Sequence, residues 1–155
     1  MRTAEAVRSK PRCEVWGVGA FENEFAAGWA EQLDDGVDLE VLETTIDRVL
    51  DLADDGLVPS FDASTCAIAA AETVATLADQ PPPALPEEVR QWCWDNPSVD
   101  LSEIQPKAVQ ALGVLLQDSG LRRFFEERGE ADDWEAVVEE LRDRLWDDPN
   151  SAHSA

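Results

Sequence analysis

The side chains that most often do acid–base and nucleophilic work are almost missing from this sequence. It has no tyrosine and one histidine, His153, in a Ser-Ala-His-Ser-Ala run near the C-terminal end. A nucleophile needs a base beside it. No serine sits in a Gly-x-Ser-x-Gly elbow, and neither Lys10 nor Lys107 has a context that would lower its pKa. These absences exclude a His-dependent hydrolase. Cysteine is sparse as well: Cys13, Cys66 and Cys93 are odd in number and far apart. That fits small apolar residues in a reducing compartment, not a disulfide framework or a zinc site. No apolar run approaches the length of a membrane span. Met1–Val15 carries basic residues without the apolar stretch of a secretory signal. A cytoplasmic location is expected.

Positive charge is the other scarcity. Twelve basic side chains stand against 34 acidic ones, a net −22. Arg2, Arg8, Lys10 and Arg12 precede Trp16 with only Glu5 and Glu14 beside them, so from Trp16 onward eight basic residues face 32 acidic ones, a balance of −24. Such a field disfavours nucleic-acid phosphates and anionic membranes, and it would steer a basic protein partner. A solvated acidic surface suited to a salt-tolerant or high-GC host accounts for the same charge. That second reading is the simpler one, because charge speaks to association and not to fold.

What is present is apolar and aromatic. With 44% apolar residues and six tryptophans, 155 residues suffice for one domain with a single core. The organising stretch is Trp16-Gly17-Val18-Gly19-Ala20-Phe21-Glu22-Asn23, followed by Phe25 and Trp29. It describes a loop turning into a helix. Gly17 and Gly19 are expected to supply backbone angles that a side chain forbids, and Asn23 to cap the helix. Trp16, Phe21, Phe25 and Trp29 would pin the corner to the core.

Helical spacing then recurs along the chain, and no stretch shows sustained strand alternation. A first helix carries Phe25, Ala26, Trp29 and Leu33. A second, capped by Asp38 and stopped by Asp55-Gly56, carries Leu39, Leu42, Ile46, Val49 and Ala53 on one face. The third, Ala63 to Ala78, is mostly alanine with Ile68, Val74 and Leu77, and Glu72 is its only ionisable carboxylate. A helix apolar nearly all round belongs at the centre, where alanine lets neighbouring backbones approach. Pro81-Pro82-Pro83 reads as an extended connector within one core. Pro86 opens a fourth helix ending near Trp94, with Val89, Trp92 and Cys93 inward. A fifth begins at about Pro106, with Val109, Leu112 and Leu116 as its stripe. Ser119 caps a sixth holding Leu121, Phe124 and Phe125, and Gly129 closes it. The seventh runs from Asp132 to about Trp146, with Trp134, Val137 or Val138, Leu141 and Leu145 inward. Arg142 and Arg144 suit its negative end.

The Trp16–Trp29 stretch resembles the opening signature of a bacterial family, domain of unknown function 4259. The likeness continues through Ala69-Ala70-Ala71-Glu72, Leu85-Pro86-Glu87-Glu88, Ser119 with Leu121, Trp134 and Arg144-Leu145, so it covers most of Trp16 to Leu145. It implies an architecture and no activity. Glu24 stands where the family prefers aspartate, Gly28 where it often has an acidic residue, and Phe125 where tryptophan is frequent. If the family uses that second acid chemically, Gly28 removes it here. Members tend to start almost directly at the Trp-Gly signature, so Met1–Val15 is expected to be a flexible leader, and a start codon chosen in error explains it equally well.

Chemical readings of the remaining motifs are weak. Gly17-Val18-Gly19 has no lysine after it and no strand before it, so it is a structural corner and not a phosphate loop. Asp34-Asp35-Gly36-Val37-Asp38 and Asp54-Asp55-Gly56 miss the calcium-loop spacing. Glu72 shares a stripe with Thr65, Thr76 and Asp79, which points to solvent. The alternative buries it against the Trp16–Gly19 corner as a structural carboxylate. The expectation is an all-α single domain of six or seven helices over 16–146, with a leader over 1–15 and a disordered tail over 147–155. Trp16, Gly17, Gly19, Phe21, Asn23, Trp29, Glu72 and Trp134 are its signature positions. No catalytic residue, metal or cofactor is expected, nor any nucleic-acid or membrane partner. The favoured function is a non-enzymatic interaction module with a basic protein partner. An immunity or antitoxin protein facing a basic toxin and a carboxylate-based metal-dependent hydrolase are the alternatives.

Overall fold

A computed structural model describes residues 15, 17, 19–33, 39–78, 86–96 and 100–146. Among them are seven helices: α1 (Glu24–Leu33), α2 (Leu39–Asp54), α3 (Phe61–Leu77), α4 (Glu87–Asp95), α5 (Ile104–Gln117), α6 (Gly120–Glu127) and α7 (Ala131–Trp146). The fold is all-α. Trp16, Val18, Cys13, the Asp34–Asp38 cap, Asp79, the proline run at 81–83 and the 147–155 tail lie outside the described residues. So does the expected leader except for Val15. That residue is half-buried and forms a single antiparallel bridge with Asn23, so it belongs to the corner.

α3 is the axis of the bundle and touches every other helix. Twelve of its 17 residues are buried, six of them alanines at positions 63, 67, 69, 70, 71 and 75. Short side chains let helix axes come close, and close packing is what the interior rewards. The hydroxyls carried inward are satisfied by backbone carbonyls of the same helix and its cap. Ser64 Oγ donates to Ser60 O at 2.6 Å, Thr65 Oγ1 to Asp62 O at 3.0 Å and Thr73 Oγ1 to Ala69 O at 2.9 Å. Ser60, three residues before the expected start, is the cap: its hydroxyl accepts from Ala63 N at 3.3 Å.

The other helices present one face each to this axis. Leu42, Ile46 and Val49 of α2 are fully buried, as are Leu112 and Leu115 of α5, while Leu116 is only half-buried. Of the two valines open on α7, Val138 is the buried one, beside Trp134, Leu141 and Leu145. α5 starts at Ile104, ahead of Pro106. The first turn of a helix has free N–H groups, so a proline there removes no bond. Gly56 and Gly129, at φ 74° and 72°, end α2 and α6. In each, the next residue's N–H closes back on the helix, Leu57 to Leu52 O and Glu130 to Phe125 O, both at 2.9 Å.

An aromatic row ties α1, α3, α6 and α7 together. Phe25, Phe61, Phe124, Phe125 and Trp134 follow one another with ring centroids 5.1–6.2 Å apart. The row depends on a tight backbone approach where α6 begins. Gly120 N donates to Pro59 O at 2.8 Å, and a Cβ on Gly120 would stand 2.6 Å from Phe61 N. Gly28 of α1 has nothing within 4 Å of the same position. Gly120→Ala is therefore expected to destabilise by about 1–3 kcal/mol through overpacking against backbone. Gly28→Ala should stabilise by about 0.5–1 kcal/mol, the helix-propensity gain. Chemical denaturation of both variants checks the pair, and equal effects would contradict it.

Candidate functional site

The corner is built by two short-range bonds. Asn23 Oδ1 accepts from Ala26 N at 2.9 Å and caps α1. Glu22 carboxylate accepts from Gly19 N at 2.9 Å, while Glu22 N donates to Gly19 O at 3.1 Å. Gly17 and Gly19 do not have the positive φ expected of them. A Cβ on either would meet only the end of the exposed Glu22 side chain, which bends back over the corner. The glycine corner thus holds the protein's own anion. Glu22 was not singled out in the sequence, although Gly-x-Gly followed at three residues by glutamate is the pattern that would have revealed it.

Behind the corner the signature residues turn inward. Trp29 is buried and its Nε1 donates to Thr45 Oγ1 of α2 at 3.2 Å. Thr45 Oγ1 in turn donates to Val41 O at 2.7 Å. Phe21 is half-buried against the core. Asn23, Trp134 and Thr65 are all buried, and with Gly19, Phe125 and Val138 they line a crevice of about 10 Å³, space for one water molecule. The structure therefore brings Gly19, Asn23 and Trp134 together, and Trp29, hydrogen-bonded to Thr45 of α2, does not line that crevice. Glu72 is not part of this group.

Glu72 is buried, as the second of the two sequence readings has it, but not in the place that reading gave. It is 4% exposed, so the stripe shared with Thr65 does not face solvent. Its partner is not the corner either, but Arg144 of α7, whose Nη1 and Nη2 meet the two carboxylate oxygens at 2.9 and 2.8 Å. Arg144 also donates from Nε to Glu140 at 2.8 Å. The stripe reading failed because α7 lies over that side of α3. Arg144, assigned to the dipole of its own helix, reaches across to another. Burial pushes the Glu72 carboxyl above its ordinary range, and the Arg144 guanidinium pulls it back down without cancelling the effect.

Other titratable groups offer little reactivity. Burial pushes the Cys93 thiol up to about 12, and its Sγ lies 3.8 Å from Thr73 O. Hydrogen bonds to Glu43 and Asp47 hold Lys107 above its usual value, at 3.0 and 3.4 Å. Among the described residues, no three His, Cys, Asp or Glu side chains gather closely enough to share a metal ion.

Removing one member of a buried ion pair leaves the other uncompensated, which costs about 3–5 kcal/mol. Arg144→Met is expected to lose that amount at neutral pH, and Glu72→Leu with Arg144→Met to recover most of it. The pH dependence has a definite sign. A carboxyl whose folded pKa is raised contributes most below its unfolded pKa, and that contribution is lost as pH rises through the folded value. Acidification from neutral pH should therefore narrow the gap between Arg144→Met and the parent, whereas the double variant, which lacks the Glu72 carboxyl, should show no such recovery. Urea denaturation across pH measures both.

No curated protein and no solved structure matches the chain. A family does: its match extends over residues 14–137, from the corner into the first half of α7 and short of Arg144. It takes in both glycines, the Asn23 cap, α3 and Trp134, the residues on which the crevice and the packing of α1 rest. The chain belongs to the domain of unknown function family DUF4259.

Proposed function

We propose that the protein is a non-catalytic, cytoplasmic bacterial interaction module whose acidic exterior receives a basic protein partner. The observation that carries this reading is the use of its cations. Of the eight basic residues from Trp16 onward, seven (Arg48, Arg90, Lys107, Arg122, Arg123, Arg128 and Arg144) are engaged in ion pairs within the fold. The surplus carboxylates, among them Asp51, Asp54, Asp55, Asp132, Asp133 and Glu139, stand exposed on separate helices and loops. They do not converge on a cavity, as acids sharing a substrate or metal would.

One aromatic belongs to this exterior. Trp94 of α4 is 80% exposed, with exposed Asp95 beside it and Glu87 two turns earlier. An indole among carboxylates suits a lysine or arginine, through the ring face and through charge. Exposed tryptophans also contribute more than other residues to interfaces.

Two measurements follow. Mutual repulsion at −24 should be relieved as ionic strength rises from about 0.01 M to about 0.15 M, where the screening length falls from about 30 to about 8 Å. The melting temperature is expected to rise over that range and change little beyond it. Partner binding should do the opposite. Immobilised protein should retain a basic protein from host extract at low salt and release it at moderate salt. Trp94→Ala should weaken that retention roughly tenfold or more. Retention indifferent to both salt and Trp94→Ala, or no retention at low salt, overturns the reading.

A further inference from the structure

We propose that the crevice between the corner and α7 is a subsite for one neutral oxygen acceptor, held by the amide of Asn23 and the indole N–H of Trp134. Trp134 is 1% exposed, yet its Nε1 has no acceptor among the described residues. Asn23 is 5% exposed, and its Oδ1 is taken by Ala26 N, which fixes which way the amide points. Its Nδ2 protons then have no acceptor among the described residues. A buried donor left unmatched costs about 1–3 kcal/mol. The two residues that carry these donors line one crevice, at positions belonging to the family signature.

The chemistry of the occupant follows from the walls. Ile68, Leu121, Phe125 and Val138 are apolar, and no cation lines the space. In a chain of net charge −22 an anion is disfavoured. A volume of about 10 Å³ admits one oxygen-sized group. Both functional atoms are donors, so the group accepts. A neutral oxygen with two lone pairs satisfies all of these conditions, and it has two sources: solvent water, or the carbonyl of an amide such as a peptide bond. They differ at Thr65, whose Oγ1 donates to Asp62 O and keeps lone pairs for a further donor. Water donates to Thr65, whereas a carbonyl does not.

The test is nuclear magnetic resonance of the full chain labelled with nitrogen-15, read at the Trp134 indole N–H. Expected is a downfield, slowly exchanging resonance that moves upfield in Asn23→Ser, which keeps the helix cap but removes the amide. Asn23→Asp, also cap-competent, provides the second variant if the first is unstable. A direct cross-peak to a long-lived water, weakened in Thr65→Val, makes water the occupant. A saturable shift of this indole alone on adding N-methylacetamide, unaffected by Thr65→Val, makes it a carbonyl. The proposal is overturned if the indole shows neither the cross-peak nor the shift, or if both Asn23 variants fold and leave its resonance in place.

Discussion

A helix with six neighbours has no face left for a large side chain, and that constraint governs the rest of this molecule. α3 meets it with alanine, and with hydroxyls that bond back to their own helix. Small residues contribute little apolar area by themselves, so stability must come from what they allow: the large side chains of the surrounding helices, Trp29, Leu42, Leu112 and Trp134 among them, reach a common centre. The buried carboxylate of α3, Glu72, is admitted only because Arg144 meets it with both terminal nitrogens. Ion pairing here follows from packing: once α7 covers α3, a carboxylate at position 72 needs a partner or a proton.

Much of this was legible in one dimension. The alanine run marked the central helix, because a segment with no polar face has only the interior to go to. Gly56, Ser119 and Gly129 marked ends because caps and left-handed turns are set by a few adjacent residues. The misses share a cause. Gly17 and Gly19 were read through their own dihedral freedom, whereas neither takes a positive φ. Glu72 was read from its helix neighbours, whereas its surroundings are set by a residue 72 positions away. Gly120 drew no attention, since its close approach is to a backbone nearly sixty residues earlier. Local chemistry can be read from sequence spacing; which surfaces meet depends on how helices are stacked, and a single sequence carries that only indirectly.

The same division separates the two functional features. The exterior is a property of composition, and the arginines and lysine distributed over it mainly answer local carboxylates. The crevice is a property of assembly: it exists only where the corner, α3, α6 and α7 come together, and its two donors lie more than a hundred residues apart. A partner reading the first would sense charge at a distance. An occupant of the second would sense whether the corner is docked.

The meeting of Gly120 with the Pro59–Phe61 backbone bears on how this family can diverge. Two turns that are distant in sequence share one hydrogen bond and one van der Waals boundary. Neither can lengthen without the other being displaced, and the aromatic row from Phe25 to Trp134 hangs on their spacing. Insertions and deletions should therefore be rare at both turns. Where one does occur, a matching change at the other turn is the compensation that geometry allows, so the two lengths should evolve as a pair.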